Sequence, residues 1–290
     1  MRVLVTGGAG FIGSHLVDAL IENNYSVAIL DNFSTGKEAN IERHLSSSGV
    51  HLIRGDVRKP EDVRTAIDNA DIIVHLAALI DTENSMGNPL DVNEVNIGGT
   101  LNLLHEAANR KIRRFIFASS TAVYGRAGEL PIREDSPARP ISPYAVTKLA
   151  GEEYCDMYAR TFGLDTLSLR LFNVYGPRQS KNNYAGVITI FLERAVRGLA
   201  PKIYGNGEQT RDFIHVRDVV TAFVSAIQKN NAMSPINVGT GISTRIIDLA
   251  EMVIELSARN GMRPQFESPR IGDIEHSLTN TERASKVLGF

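Results

Sequence analysis

Apolar and often β-branched runs recur at residues 3–5, 27–30, 51–53, 72–76, 114–118 and 166–171. The intervening segments 12–22, 92–109 and 144–162 place their apolar positions at helical spacing. Strand alternating with helix predicts an α/β fold whose parallel sheet is wound on both faces. After Asn173 the order is less regular. A helix over 187–199, a strand near 202–204, a helix over 216–228 and a further helix capped by Ser243 are expected there. This half reads as a smaller α/β substrate-binding lobe. Residues 1–172 form the larger domain and 216–242 return to it, while 173–215 and 243–290 build the lobe. No repeat, low-complexity tract or flexible linker separates the two, so the cleft between them is the expected site.

The first turn, Thr6-Gly7-Gly8-Ala9-Gly10-Phe11-Ile12-Gly13, follows a strand and opens a helix. Small residues there let backbone amides and the helix N-terminus approach a pyrophosphate, as in Rossmann-type dinucleotide-binding folds. The second strand ends in Leu30-Asp31-Asn32. A carboxylate at that point accepts hydrogen bonds from the adenosine ribose and repels an added 2′-phosphate, which favours NAD over NADP. Asp56 and Val57 follow the third strand, where the acid suits an adenine amino group and the valine its ring. Asp56 equally suits a helix cap or turn. After the fourth strand, Leu76, Ala77 and Ala78 leave room for the dinucleotide against the backbone.

The formal net charge of −2 and the lack of a basic run argue against nucleic-acid or membrane-surface binding. The single cysteine, Cys155, has no partner for a disulfide or a zinc motif and reads as a small packing residue that suits a reducing cytoplasm. No signal-peptide pattern or membrane-length apolar run is seen, and the expected location is cytoplasmic. His75, His215 and His276 form no metal-like cluster with one another, so no metal is expected.

In Ser142-Pro143-Tyr144-Ala145-Val146-Thr147-Lys148 the prolines fit a helix entry, and Tyr144 and Lys148 then share one face a turn apart. Both side chains can reach one ligand. The plainer reading is an amphipathic tyrosine over the core beside a solvated lysine.

The segments TGGAGFIGSHLV, DN, GDV, HLAA, SSTAVYG, SPYAVTK, RLFNVYGPRQ, GNGEQTRDFIHVRDV and RIGDIEHS occur in order over nearly the whole chain. Together they resemble the extended short-chain dehydrogenase/reductase family, and within it the nucleotide-sugar 4-epimerases. The resemblance implies an NAD-dependent isomerase that acts on a UDP-sugar and forms a homodimer through the helices 92–109 and 142–162. Tyr144 is then the acid/base, and Lys148 the cation that holds the nicotinamide ribose and lowers the tyrosine pKa. Ser120 matches the family's catalytic hydroxyl, with Thr121 an alternative at that place and Tyr124 structural. Asn173, Arg211 and Arg270 match residues that hold the nucleotide-sugar diphosphate, for which the planar guanidinium fork is suited. Ser277, seven residues after Arg270, matches a position against the sugar 2-substituent, where a small side chain leaves room for an N-acetyl group.

Two other enzymes are weighed, a 4,6-dehydratase and a decarboxylating relative. The dehydratases carry an Asp-Glu pair where this chain has Thr121-Ala122, because eliminating water needs an extra acid and base. A cofactor-binding regulatory protein without turnover is the third alternative, and intact Ser120, Tyr144 and Lys148 argue against it. Related epimerases continue for a further element beyond the segment matching 286–290, and some place a basic residue within the segment matching 80–84, where this chain has none.

Overall fold

The computed structural model describes residues 1–80, 82–179, 186–229, 234–257, 261–269 and 274–290. The chain opens with β1 (Arg2–Thr6), α1 (Phe11–Glu22), β2 (Ser26–Asp31), β3 (Val50–Arg54), α2 (Pro60–Ala66) and β4 (Ile72–His75). Two short helices, α3 (Thr82–Gly87) and α4 (Pro89–Asn93), lead through a widened π-helical turn at Glu94–Gly98 into α5 (Gly99–Asn109). Then come β5 (Arg114–Ser120), α6 (Pro143–Phe162), β6 (Thr166–Leu171), β7 (Asn173–Tyr175), α7 (Val187–Val196), β8 (Lys202–Tyr204) and β9 (Thr210–His215). The chain ends with α8 (Val216–Gln228), β10 (Ile236–Val238), β11 (Ser243–Arg245), α9 (Ile246–Leu256), β12 (Gln265–Glu267) and α10 (Glu282–Leu288).

Among the described residues, seven strands form one parallel sheet in the order β10-β6-β5-β4-β1-β2-β3. Its strands read as continuous apolar runs because both faces are covered. Val3, Val5, Val27, Ile29, Ile72, Val74 and Ile116 pack with α1, α8 and α10 on one face. Their alternates Leu4, Ala28, Leu30, Ile73, Phe115 and Phe117 pack with α2, α5 and α6 on the other. Two smaller sheets, β11-β9-β7 and β12-β8, stand beside the main one. A separate apolar cluster holds α7 and α9 against β8 through Phe191, Ala195, Ile203, Leu249 and Val253.

Two local expectations give way to non-local contacts. The helix expected over 92–109 is divided by the π-helical turn, where Asn96 turns inward. Its amide donates to the Leu79 carbonyl at 3.0 Å and to Thr147 Oγ1 at 3.0 Å, and its oxygen accepts from Leu79 N at 2.8 Å. Such insertions widen a helix. Ser243 is not a helix cap: it pairs with Asp212 across the antiparallel β11 and β9, and Arg245 is the residue before α9. Sheet pairing here outweighs the local capping tendency of serine.

The helix that carries Tyr144 and Lys148 is fixed at both ends. Ser142 Oγ accepts from Ala145 N at 3.2 Å, Pro143 follows in the first turn, and Gly163 ends the helix with φ +69°. At its middle Gly151 lies on Phe117, where a β-carbon would sit 2.4 Å from the ring. Gly151→Ala therefore lifts α6 off β5, and we expect a loss of about 1–3 kcal/mol in urea or thermal unfolding. An unchanged stability would contradict this packing.

Candidate active site

A cleft of about 710 Å³ opens at the carboxyl ends of the main-sheet strands. Gly7, Gly10, Phe11, Ile12 and Gly13 line it from the turn between β1 and α1. Asp31 and Asn32 enter from the end of β2, Asp56 and Val57 from beyond β3, and Leu76, Ala77 and Ala78 from beyond β4. Ser120 at the end of β5, Tyr144 and Lys148 on α6, and Asn173 on β7 complete the set of expected residues that meet here.

The glycine turn fits a dinucleotide. Gly7 has φ +68°, and a β-carbon on it would lie 2.8 Å from Ala77 N, so the turn touches the segment after β4 backbone to backbone. A β-carbon on Gly13 would lie 2.1 Å from the Gly7 carbonyl oxygen. Gly10 supplies no side-chain cap to α1, whose first turn holds no acidic residue, and the helix N-terminus is suited to a pyrophosphate. Asp31 accepts from Ala9 N at 2.9 Å and Phe33 N at 2.8 Å, so the carboxylate expected to meet a ribose also braces the turn. Burial pushes its pKa upward against those two hydrogen bonds.

Asp56 differs from the expected open acceptor. Arg58 clasps it through Nε and a terminal nitrogen, at 3.0 and 2.6 Å, and Asn32 donates at 3.1 Å. The guanidinium holds the Asp56 carboxyl down at about 2, against its burial. Arg58, Ser34, Thr35, Lys37 and Asn40 also line the cleft, and the sequence reading missed all five. The polar turn Ser34-Thr35-Gly36-Lys37 directly after the ribose acid was the available signal.

Tyr144 and Lys148 share one face of α6, and both are buried. Lys148 Nζ donates to the Ala118 carbonyl at 2.8 Å and lies 4.9 Å from the Phe117 ring centroid. Burial lowers its pKa to about 8, with Glu152 opposing. The expected lowering of the tyrosine pKa is not what this geometry gives. Nζ stands 5.9 Å from the Tyr144 ring centroid, and burial raises the phenol pKa, with only the hydrogen bond from Ser120 pulling the other way. Ser120 Oγ also accepts from Ala122 N at 3.2 Å. Beneath the site, both ring nitrogens of His75 are engaged, Nδ1 with Thr6 Oγ1 at 2.7 Å and Nε2 with Thr100 Oγ1 at 2.9 Å. Burial lowers its pKa to about 3, so the ring is neutral and structural.

The far wall is less complete. Asn173 lines the cleft while its amide donates to the Asp212 carbonyl at 3.2 Å. Arg211 sits on β9 with a guanidinium nitrogen 2.9 Å from the Thr210 carbonyl, away from the lining. Ser277 is buried behind it, its backbone N donating to the Thr210 carbonyl at 3.2 Å. The Ser277 hydroxyl has no hydrogen-bond partner among the described residues. Arg270 lies outside the described residues. Among the described residues no group of His, Cys, Asp or Glu is placed to hold a metal, and no helix is long and apolar enough to cross a membrane.

A glycine turn, a ribose acid and a Tyr-x-x-x-Lys pair at the carboxyl edge of one doubly wound sheet define a dinucleotide-dependent enzyme of the short-chain dehydrogenase type. More narrowly, the chain belongs to the NAD dependent epimerase/dehydratase family, whose model matches residues 3–239. It is 38% identical over 292 residues to the UDP-glucose 4-epimerase of Mycolicibacterium smegmatis, covering 100% of this chain and 93% of that protein. A solved UDP-N-acetylglucosamine 4-epimerase from Methanobrevibacter ruminantium, in complex with UDP-N-acetylmuramic acid, superposes with TM-score 0.94 at 38% identity, covering 100% of this chain and 92% of that one. The UDP-glucose 4-epimerase of Thermus thermophilus in complex with NAD gives TM-score 0.88 at 38% identity, covering 99% and 92%.

The cofactor is NAD. Released by denaturation and separated by chromatography, the nucleotide that copurifies is expected to be NAD(H). Dominant NADP(H) would contradict the role given to Asp31.

Proposed function

We propose that this protein interconverts UDP-glucose and UDP-galactose, and their N-acetyl forms, by epimerisation at carbon 4 through a 4-keto sugar. One observation carries the reading: Ser120, Tyr144 and Lys148 converge on the cleft wall that also holds the glycine turn and Asp31. NAD⁺, when bound, supplies an acceptor and donor for the hydrogen on sugar carbon 4, and a positive charge that favours phenolate. Tyr144 removes the proton of the 4-hydroxyl as the C–H bond breaks, and returns a proton to the oxygen after the ring has turned its other face. Ser120, hydrogen-bonded to Tyr144, orients that oxygen. Lys148 contributes a fixed cation at the foot of the helix turn. No group joins or leaves the sugar overall, so the UDP moiety has to stay anchored while the hexose rotates.

The larger domain, 1–172 with 216–242, is assigned to NAD, and the lobe 173–215 with 243–290 to the UDP-sugar. The return of β10 to the main sheet beside β6 supports that division. Asn173, Arg211 and Arg270 are assigned to the diphosphate. We place the enzyme in the cytoplasm, which suits its one buried free thiol. A homodimer through α5 and α6 is proposed on the exposed apolar Val146 and Phe162 of α6. Light scattering should then return twice the chain mass, and a monomer mass would remove that claim.

Tyr144→Phe deletes the phenol proton at nearly constant volume. Epimerisation of UDP-galactose should fall by at least about a hundredfold with the circular dichroism spectrum unchanged. Near-normal turnover would sink the catalytic assignment.

Ser277 is buried and outside the residues that line the cleft, and on the family resemblance we assign it to the neighbourhood of the sugar 2-substituent, where its small size leaves room for an N-acetyl group. Replacing it by tyrosine should depress turnover of UDP-N-acetylglucosamine far more than that of UDP-glucose. Equal loss on both substrates, or a wild type that ignores the N-acetyl sugar, would refute the assignment.

A further inference from the structure

Tyr144, Lys148 and Glu152 follow one another at four-residue spacing down the inner face of α6, and Glu152 has no place in the proton transfers described above. It is buried, as are all the groups around it. Its Oε1 accepts from Ser119 Oγ and from Arg170 Nε at 2.9 Å, and its Oε2 accepts from a terminal nitrogen of Arg170 at 2.7 Å. Arg170, on β6, spends its remaining donor on Tyr124 Oη at 2.8 Å and the Glu134 carbonyl at 3.1 Å. Tyr124 in turn donates to Asn237 Oδ1 at 2.6 Å, on β10. One carboxylate thus ties α6 directly to β5 and β6 and, through Arg170 and Tyr124, to β10, and one of its ligands, Ser119, adjoins Ser120.

Such an arrangement is expensive for a purely structural brace, because a buried ion pair is often no more stable than apolar residues of the same volume. Its place suggests another use. Lys148 is one helical turn from Glu152, and Arg170 binds the same carboxylate from β6. The other titratable groups facing Lys148 are Tyr144 and Cys155 on α6 and His75 on β4. Burial raises the first two and lowers the third to about 3, which disfavours the charged form of each. From β5 the Phe117 ring and the Ala118 carbonyl face the lysine. The charged group that acts on the lysine from α6 is therefore Glu152, which favours the ammonium, and Arg170 holds that carboxylate through Nε and a terminal nitrogen.

We propose that Glu152, held by Arg170 and Ser119, is a positioning residue that keeps Lys148 charged and aligned beneath the active site. The inference rests on the epimerase reading for its purpose but not for its test. Burial alone pulls the lysine toward neutrality, and the Glu152 carboxylate offsets that pull. Arg170 fixes the carboxylate in place.

The two members of the pair then have opposite signatures. In NAD-loaded protein carrying ¹³Cε-lysine, the Lys148 resonance is assigned by its loss in Lys148→Arg and titrated by NMR. Glu152→Gln leaves Arg170 unopposed, and the Lys148 midpoint should fall by at least about half a pH unit. Arg170→Met leaves the carboxylate unopposed, and the midpoint should rise by a similar amount. Epimerisation of UDP-galactose should lose its alkaline limb at lower pH in the first variant and at higher pH in the second. Midpoints that stay put in both variants, or move the same way, would overturn the proposal and leave a structural brace. If Glu152→Gln does not fold, the direction of the Arg170→Met shift decides alone. Absence of turnover in the wild type would instead refute the epimerase reading, and the lysine titration would stand apart from it.

Discussion

A lysine ammonium buried at the carboxyl edge of a parallel sheet is unfavourable on its own, and the structure around Lys148 compensates for it on several sides. The Ala118 carbonyl accepts its hydrogen bond, the Phe117 ring offers its face, and Glu152 supplies the opposite charge one turn along the helix. Each of these partners sits on β5 or α6, so the two elements must keep their relative position. That requirement explains why α6 is capped at both ends, why Gly151 lets it settle on Phe117, and why β5, β6 and β10 are cross-linked by buried polar groups. The rest of the cleft is arranged around a helix that is fixed in this way.

The nucleotide side follows a different physical logic. There the backbone is the group suited to binding, because a pyrophosphate is well matched by amides and a helix N-terminus. The glycine turn and the small residues after β4 approach one another closely enough that added β-carbons would collide. Asp31 is then placed twice over, once as a wall of the cleft and once as the brace that accepts from Ala9 N. Thr6, His75 and Thr100 carry this order inward from the turn to the catalytic helix, with Asn96 joining Leu79 to Thr147.

What was legible in the sequence was what is local. The strand runs, the glycine turn and the four-residue spacing of Tyr144 and Lys148 are each set by a few consecutive residues; six of the seven main-sheet strands lie where those patterns put them, and the glycine turn, Tyr144 and Lys148 line one cleft. Contacts between distant residues were not legible. Nothing near Asn96 announces the π-helical turn, since its partners Leu79 and Thr147 belong to other elements. Ser243 has a capping side chain, yet β9 claims it for a sheet. Asp56 has its competitor only two residues away, but a sequence does not say that Arg58 folds back. Ser120 needed the family resemblance, because a serine at a strand end is otherwise unremarkable.

In the proposed reaction carbon 4 of a UDP-hexose is oxidised and reduced again in one cleft without exchange with water. The most direct measurement uses UDP-galactose carrying deuterium on carbon 4, turned over in ordinary water, with the UDP-glucose formed read by mass spectrometry and NMR. The account predicts that the product keeps its deuterium on the same carbon. Product that carries solvent hydrogen there, at the rate of epimerisation, would contradict it.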